Sequence, residues 1–289
     1  MSTVYLNGQF QPIESATISV LDRGFLFGDG VYEVIPVYGG RPFRLDEHLQ
    51  RLENSLAEVR IPNPHQRDGW SKILSELIHK NEGGDQSLYL QVTRGVAPRD
   101  HHFPELTNPT LFMMSNPLTG TPTSILQHGI AAVTETDSRW SRCNIKSINL
   151  LANVLHRQHA LDRGAKESIL IRQGEVTEGA ASNVFVVLEG TILTPPKSHY
   201  LLPGVTRDLA LELAQQQGLH PQESAISEQQ LAAAEEIWVT SSTKEVVPVT
   251  QLNHAPVGEG IPGLVTLQIH RHLQTFKQQF RAESPSPAH

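Results

Sequence analysis

The chain has few of the residues that mark disulfide-rich, membrane or nucleic-acid-binding proteins. Its 289 residues contain one cysteine, Cys143, which excludes an internal disulfide and fits a reducing cytoplasm. Lys plus Arg total 23 against 30 Asp plus Glu, and the net charge of -7 does not favour a nucleic acid or an anionic membrane as a partner. The sequence shows neither the apolar stretch of a signal peptide nor a run as long as a membrane span. A cytoplasmic protein is expected.

The sequence also lacks a clear metal or dinucleotide motif. Its 14 histidines are scattered, and the pairs His156 with His159 and His270 with His272 have no acidic or cysteine ligands beside them at metal spacing. We interpret these histidines as surface or helix residues and expect no metal. No G-x-G-x-x-G motif is present, so a dinucleotide site is not indicated.

The distribution of apolar residues predicts an α/β chain with two domains. A chain of 289 residues exceeds the common size of one domain. Apolar periodicity predicts helices over 45–59, 70–78, 150–162, 206–217 and 269–280, and strands over 4–6, 31–38, 88–93, 110–115 and 130–134. Proline and glycine interrupt both patterns near 117–123. We therefore predict an N-terminal domain over 1–116, a linker over 117–123, a second domain over 124–281 and a disordered tail over 282–289.

A lysine between two isoleucines is the first candidate for chemistry. Lys146 lies between Ile145 and Ile148, ahead of a leucine-bearing helical run. Desolvation disfavours the ammonium form of a lysine, and a neutral amine can form a Schiff base with a carbonyl group. Most lysines beside apolar residues instead keep the ammonium group in water. By itself, the pattern favours such an ordinary lysine.

A glutamate at the mouth of a strand is the second candidate. Glu178 is followed by Gly179, Ala180 and Ala181, and an apolar run begins at Val184. Small residues let a flat group approach the backbone, and a glutamate can keep a ring nitrogen protonated through a charge-assisted hydrogen bond. An ordinary turn with a solvated Glu178 is an equally good interpretation of this segment alone.

Two further segments have the composition of a phosphate site. Gly204 precedes a helix expected to begin near Thr206, and free N–H groups at a helix start attract phosphate. A threonine-capped helix without a ligand is the more common case. Ser241 and Ser242 follow a strand-like run and could complete a phosphate site, although serine-rich turns usually bind nothing.

Together with other blocks, these segments resemble the class IV (fold type IV) pyridoxal-phosphate aminotransferases, and within that family the bacterial D-amino acid aminotransferases. The further blocks are DRG at 22–24, FGDGVYEV at 27–34, VTRG at 92–95 and PRDHHFPE at 98–105. Several independent blocks in family order, from near residue 4 to near 280, are far more specific than any one motif.

The resemblance implies a fold, a cofactor and a site. The fold is two-domain α/β (α+β), with a small N-terminal α/β domain and a larger C-terminal α/β pseudo-barrel domain that binds pyridoxal 5'-phosphate. Lys146 carries the Schiff base, Glu178 faces the pyridine nitrogen and Leu202 supports one face of the ring. The implied phosphate contacts are Arg51, Val205, Thr206, Ser241 and Ser242, and the implied substrate-carboxylate contacts are Tyr32, Arg99 and His101. A homodimer with its active site at the subunit interface is also implied.

The carboxylate contacts have a physical rationale of their own. Arginine binds a carboxylate through a planar fork of donors, and histidine and tyrosine can donate beside it. Without the family, Arg99 and His101 would be interpreted as part of a solvated loop. One departure from the family lies at Ala180 and Ala181, where its best-known D-amino acid members carry serines. We expect this departure to alter rate or cofactor retention, not the reaction.

The expected reaction is transamination between D-amino acids of the D-alanine and D-glutamate type and the 2-oxo acids pyruvate and 2-oxoglutarate. Three activities of the same fold are alternatives: branched-chain L-amino acid aminotransferase, (R)-amine transaminase and 4-amino-4-deoxychorismate lyase. The two transaminases would not need Arg99 with His101 as a carboxylate site. A non-catalytic cofactor-binding protein is a further alternative, which the intact candidate residues disfavour.

Overall fold

The structure is a computed structural model that describes residues 2–81, 84–106 and 108–283. The chain forms two compact units. Unit 1 comprises the described residues within Met1–Thr119, Ile145–Leu150 and Phe280–His289, and unit 2 comprises Gly120–Asn144 and Leu151–Gln279. Both units combine helices with a β-sheet, so the α/β expectation is confirmed. The linker over 117–123 stays a prediction, and residues 284–289 of the expected disordered tail lie outside the described residues.

Unit 1 is built on a six-stranded antiparallel sheet with the strand order β2-β1-β6-β5-β3-β4. Its strands are β1 Thr3–Leu6, β2 Gln9–Pro12, β3 Gly30–Tyr38, β4 Arg41–Pro42, β5 Gln86–Thr93 and β6 Thr110–Pro117, and its helices are α1 Arg23–Phe27, α2 Leu45–Glu58 and α3 Arg67–Lys80. The apolar faces of α2 and α3 supply Leu49, Leu52, Leu56, Leu74 and Leu77 to the core. Burial of these leucines stabilises unit 1 because each contributes about 1.5–3 kcal/mol.

The segment that carries Lys146 is part of unit 1. Ser147 forms a bridge with Val31 of β3. The Tyr32 N–H donates to the Lys146 carbonyl at 2.9 Å, and the Ile148 N–H donates to the Gly30 carbonyl at 3.0 Å. The segment 145–150 therefore lies along the first residues of β3, whereas the sequence-based division assigns it to the second domain.

Unit 2 contains a nine-stranded mixed sheet, in which β14 pairs in parallel with β7 and β7 with β8. Its strands are β7 Ile130–Thr136, β8 Glu167–Arg172, β9 Glu175–Gly179, β10 Asn183–Leu188, β11 Thr191–Thr194, β12 Gln222–Glu223, β13 Glu236–Ser241, β14 Glu245–Leu252 and β15 Ala255–Pro256. Its helices are α4 Thr123–His128, α5 Leu151–Asp162, α6 Val205–Gln216, α7 Glu228–Ala232 and most of α8 Leu264–Ala282.

The predicted helices and strands are confirmed, with ends that differ by a few residues. The helix predicted over 206–217 is α6, and the strand predicted over 130–134 is β7. The sequence did not predict the helices α1, α4 and α7 or the strands β2, β4, β8, β9, β11, β12, β14 and β15. Most of these elements have two to six residues, which are too few to show a clear period. Within the described ranges, none of the helices combines the length and apolarity that crossing a membrane requires.

Candidate active site

In unit 1, Lys146 lies against the ring of Tyr32. The Lys146 Nζ atom is 4.2 Å from the centroid of that ring, and the ring stacks on Tyr89 with 5.7 Å between centroids. The Lys146 N–H donates to the Ser55 Oγ atom of α2 at 3.1 Å. The backbone of Lys146 is thus bonded to both β3 and α2, and its partly buried amine lies beside an aromatic face.

Arg51 belongs to a buried cluster of charges that the sequence did not indicate. Its Nε and Nη2 atoms donate to the two carboxylate oxygens of Glu33, each at 2.8 Å, and the His48 Nδ1 atom lies 2.9 Å from the same carboxylate. Burial raises the pKa of Glu33, but Arg51 and His48 outweigh it and hold that pKa well below its usual range. Burial also lowers the pKa of His48, against the opposing effect of the neighbouring Glu33 carboxylate. This pairing fixes the orientation of the Arg51 guanidinium.

Arg99 and His101 lie together on an exposed loop between β5 and β6. The Arg99 Cζ atom is 5.3 Å from the ring centroid of Phe27, and the His101 ring is 5.4 Å from it. Arg23 connects this loop to α1, because its Nη1 atom donates to the Asp100 carbonyl at 2.6 Å. The structure therefore brings both candidate carboxylate-binding side chains to the end of α1.

In unit 2, Glu178 is buried at the end of β9, and both of its carboxylate oxygens accept hydrogen bonds. Arg139 Nη1 donates to Oε1, while the Leu202 N–H donates to Oε2 at 3.0 Å and Asn183 Nδ2 donates to it at 3.3 Å. Burial raises the pKa of Glu178 to about 7, against the opposing effect of the Arg139 guanidinium. A further positive group at this carboxylate would favour its ionised form.

Arg139 and Asp137 were missed as site residues, although Arg139 lies seven positions before Lys146. Asp137 accepts from Arg139 Nε at 2.9 Å and from Nη2 at 3.0 Å, and Nη2 also donates to the Tyr200 carbonyl at 3.0 Å. Arg139 is itself buried. The alternating acid and base of Asp137-Ser-Arg139 were the signal available, but only the pairing of distant strands identifies Glu178 as the third member.

Asn183 connects Glu178 to the start of α6. Its Nδ2 atom also donates to the Leu202 carbonyl at 2.8 Å. A Cβ atom added to Gly204 would lie 2.0 Å from the Asn183 Oδ1 atom, so any larger residue would have to displace the Asn183 side chain. Val205 and Thr206 are the first two residues of α6, and their N–H groups belong to the uncompensated helix start.

The two serines lie at the end of β13, which pairs with β10. Thr240 is directly opposite Asn183 in that pairing. Ser241 is the last residue of β13, Ser242 follows it, and the Lys244 N–H donates to the Ser241 Oγ atom at 3.3 Å. The Thr240 Oγ1 atom is buried without a hydrogen-bond partner in the part of the chain that the structure describes. Unit 2 thus connects Glu178, Leu202 and the start of α6 through Asn183, and Thr240, which precedes the two serines, lies opposite this asparagine.

These arrangements provide complementary chemistry. Unit 2 offers a buried carboxylate for a cationic ring atom, and helix N–H groups and hydroxyls for an anion. Unit 1 offers an amine beside an aromatic face and two exposed cationic or polar donors, Arg99 and His101. The assigned roles of all these residues stay predictions.

Comparison with known protein families identifies the family to which the chain is similar. The family model described as amino-transferase class IV matches residues 30–252. A D-alanine aminotransferase of Bacillus licheniformis is 42% identical over 271 residues, which cover 94% of this chain and 95% of the relative. A D-alanine aminotransferase of Staphylococcus haemolyticus is 37% identical over 276 residues, covering 96% and 98%.

Solved structures show the same similarity. The branched-chain amino acid aminotransferase of Escherichia coli superimposes with a TM-score of 0.87 at 28% identity, covering 99% of this chain and 96% of that chain. The T.th. branched-chain amino acid aminotransferase with pyridoxamine 5'-phosphate gives a TM-score of 0.88 at 25% identity, covering 96% and 94%. The fold type IV expectation and the resemblance stated from the sequence are confirmed, and the chain belongs to the class IV amino-transferase family.

Proposed function

We propose that this chain is a pyridoxal 5'-phosphate-dependent aminotransferase that exchanges amino groups between D-amino acids and 2-oxo acids. The observation that carries the proposal is the buried Glu178 carboxylate, whose two oxygens are held by Arg139, Leu202 and Asn183. Support for the D-amino acid substrates comes from D-alanine aminotransferases at 34–42% identity over nearly the whole chain.

The residues of unit 2 fit the cofactor. Glu178 accepts from three donors, whereas an ionised carboxylate offers about four acceptor sites, so capacity for one ring N–H remains. The buried Thr240 Oγ1 atom lacks a partner among the described residues, beside the serines proposed to bind phosphate. Because Gly204 has no side chain, the Asn183 amide can lie directly against the residue before α6.

We assign the cofactor contacts accordingly. Glu178 would bind the ring nitrogen, Leu202 would support one ring face and Lys146 would bind the aldehyde carbon. The proposed phosphate contacts are Arg51, Val205, Thr206, Ser241 and Ser242. When bound, the cofactor supplies an electron sink for the electrons that leave the substrate Cα–H bond.

The reaction requires one group that moves a proton and another that stabilises charge. The Lys146 Nζ atom would take the Cα proton as a general base and then, as a general acid, donate it at the cofactor's aldehyde carbon instead of at Cα. Glu178 would stabilise the protonated ring nitrogen, and Arg139 opposes the burial that raises the pKa of Glu178 to about 7. Tyr32, Arg99 and His101 would bind the substrate carboxylate and so determine which hydrogen faces the lysine.

A homodimer is the assembly we propose. Arg99 and His101 are exposed in the single chain, and the same loop exposes Val96 by 52%, Phe103 by 48% and Leu106 by 91% of their surfaces. Apolar side chains exposed next to functional ones are typical of an interface. The presence of one cysteine supports the further proposal of a cytoplasmic location.

The test is a single-turnover absorbance measurement on the holoenzyme with D-alanine, L-alanine, L-leucine and (R)-1-phenylethylamine in separate samples. We expect D-alanine alone to remove the visible cofactor band, pyruvate to form and 2-oxoglutarate to restore the band. A Lys146→Ala variant is the control and should bind cofactor without turnover. A response only to L-leucine or only to the amine would replace D-amino acid transamination by that activity, and the absence of a bound chromophore would contradict the cofactor.

A further inference from the structure

A cluster of two histidines and a glutamate lies in unit 2, outside the residues assigned to catalysis. Glu135 is on β7, and His156 and His159 are on α5. One potential ligand atom from each of the three lies within 4.8 Å of the other two. We propose that Glu135, His156 and His159 bind a divalent transition-metal ion of the zinc type.

The distance between Glu135 and His159 agrees with a shared ion, whereas the contact between Glu135 and His156 is a hydrogen bond that must lengthen by about 0.5 Å when an ion binds. One carboxylate oxygen of Glu135 lies 2.8 Å from His156 Nδ1 and 3.3 Å from His159 Nδ1. Zinc bonds to nitrogen and oxygen are about 2.0–2.2 Å long, which places tetrahedral ligand atoms about 3.3 Å apart. The two histidines are three positions apart on α5, so both face the same side of the helix and point to β7.

The burial of the three side chains fits a site with an open position. The His156 side chain is 5% exposed and that of Glu135 is 10% exposed, whereas that of His159 is 58% exposed. Two ligands are thus fixed by the fold, and the third lies at the surface where an ion and a water molecule can enter. Three protein ligands with one water is the usual arrangement of an open zinc site.

The second ring nitrogen of His156 has a partner suited to a metal ligand. The Ser138 Oγ atom lies 3.0 Å from His156 Nε2, and the Ser138 N–H donates to the same nitrogen at 3.4 Å. In this arrangement Nε2 accepts and Nδ1 carries the proton toward Glu135. When Nδ1 binds an ion, the proton moves to Nε2, which then donates to the Ser138 hydroxyl and gives up the bond from the Ser138 N–H. The Ser168 Oγ atom donates to the His156 carbonyl at 2.7 Å and so fixes this turn of α5.

The donor set indicates the class of ion. Two imidazoles and one carboxylate suit Zn²⁺, Co²⁺ or Ni²⁺, whereas Mg²⁺ and Ca²⁺ require oxygen ligands. Arg163 is the nearby cation, with Nη1 3.9 Å from the Glu135 Oε1 atom, and its side chain is 58% exposed, so it can turn into solvent. The sequence showed the pair of His156 and His159 but not its acidic partner, because Glu135 lies 21 positions before His156 on a different element, and no metal was therefore expected.

The test is a titration of the chelator-treated, untagged holoenzyme with Co²⁺, followed by its d–d absorption, and with Zn²⁺, followed by calorimetry. We expect one equivalent to bind to the wild type. His159→Ala removes an exposed ligand without opening the core and should weaken binding at least about 10-fold. His220→Ala, another exposed histidine of unit 2, is the matched control and should bind as the wild type does.

Thermal unfolding gives a second readout. Zn²⁺ should raise the Tm of the wild type and of His220→Ala, but not that of His159→Ala or Glu135→Gln. The reason is that Zn²⁺ stabilises the folded state only where an intact site binds it. Turnover of D-alanine should be unchanged in His159→Ala. Metal binding and Tm are measured without turnover, so a failure of the proposed function would not affect this test. Equal metal affinity in wild type and His159→Ala, or no cobalt absorption in the wild type, would overturn the proposal.

Discussion

Arg139 lies between two acidic side chains and binds both of them. The Nε and Nη2 atoms of its guanidinium group donate to Asp137, and its Nη1 atom donates to Glu178. Burial raises the pKa of Glu178 to about 7 even with this cation in place. In an Arg139→Met variant the pKa of Glu178 should rise further, and more of the carboxyl should be protonated at neutral pH. We expect kcat/KM for D-alanine to fall about 10–100-fold, the effect of one lost hydrogen bond to a charged group.

The pH profile separates this effect from misfolding. The acid limb of kcat/KM should move to higher pH in Arg139→Met, and Arg139→Lys should return part of the activity because it restores the charge without the fork. Arg163→Gln, an exposed arginine of unit 2, is the control and should keep the wild-type profile. A uniform loss of activity at every pH would contradict control of the Glu178 charge by Arg139.

The two alanines after Glu178 differ in their surroundings. Ala180 is 1% exposed, and its N–H donates to the Ser168 carbonyl, whereas Ala181 is exposed. An Ala181→Ser variant should therefore fold normally and gain activity with D-alanine by up to about fivefold, the effect of one added hydrogen bond. Ala180→Ser is the comparison, because an added hydroxyl there must be buried and should lower the Tm. Conversion of Ala181→Ser to another reaction would contradict the assigned role.

Single residues could be predicted where a local pattern identified them, and not where a distant partner does. Lys146 and Glu178 stand in recognisable segments. Glu33 was part of a matched block, but its pairing with Arg51 joins β3 to α2 across 18 positions. The bond between Arg139 and Glu178 spans 39 positions and requires the sheet of unit 2 to form. Sequence patterns do not encode such contacts directly.

At the scale of elements, the turn before α6 requires a residue without a side chain. A Cβ atom at Gly204 would lie 2.0 Å from the Asn183 Oδ1 atom. Gly204→Ala should displace Asn183 from Leu202 and Glu178 and weaken cofactor binding, measured as faster loss of the chromophore on dialysis. Gly120→Ala is the control, because a Cβ atom there meets nothing within 4 Å. Equal cofactor retention in both variants would contradict a role of this turn in binding.

The contact of α2 with β3 depends on a buried ion pair. Arg51 and His48 outweigh burial and lower the pKa of Glu33 below its ordinary value of 4.5. Such a group contributes stability above pH 4.5, and the contribution is lost as the pH falls toward the lowered pKa. Glu33→Gln should reduce the free energy of unfolding by about 3–5 kcal/mol at neutral pH, because Arg51 keeps its buried charge.

The difference between Glu33→Gln and wild type should become smaller as the pH is lowered below 4.5, which denaturant unfolding at several pH values would measure. Glu53→Gln on the same helix removes only a surface contact to Arg67 at 3.6 Å and should change stability by about 1 kcal/mol or less. A difference that stays constant down to acid pH would show that the charge of Glu33 is not responsible.

Helices with several turns of apolar repeat were predictable, whereas some strands, such as β8 and β14, were not. The helices α2 and α3 have 14 residues each, enough for several turns of apolar repeat. The order β12-β11-β10-β13-β14-β7-β8-β9 places strands far apart in sequence next to each other. That order places Thr240 opposite Asn183, so this asparagine lies between the two segments that we propose to bind phosphate, which the sequence predicted only as separate pieces.

At the scale of the whole molecule, the proposed dimer makes a prediction about mixed subunits. If Arg99 serves the site of the neighbouring subunit, a hybrid of one Lys146→Ala chain and one Arg99→Ala chain contains one complete site. Randomly reassembled mixtures of the two variants should recover about a quarter of wild-type activity with D-alanine, because half of the dimers are hybrids and half of their sites are complete.

Each variant reassembled with itself is the control and should stay impaired. Recovery above both controls would support a site completed by two chains. If Arg99 serves its own subunit, no hybrid contains a complete site and no recovery should occur. An Arg99→Ala enzyme with unchanged KM and kcat/KM for D-alanine would contradict its role in binding the carboxylate.

The position of residues 145–150 in unit 1 has a consequence for biosynthesis and for gene dissection. A ribosome that has released residues 1–119 has not yet made the segment that pairs with the first residues of β3. Unit 1 therefore acquires this pairing only after the first elements of unit 2, α4 and β7, have been translated, and its contact between Arg281 and Asp85 only after the rest of unit 2. Two fragments expressed from a gene cut near codon 120 would separate Tyr32 from Lys146, and neither fragment would carry the complete set of unit 1 contacts.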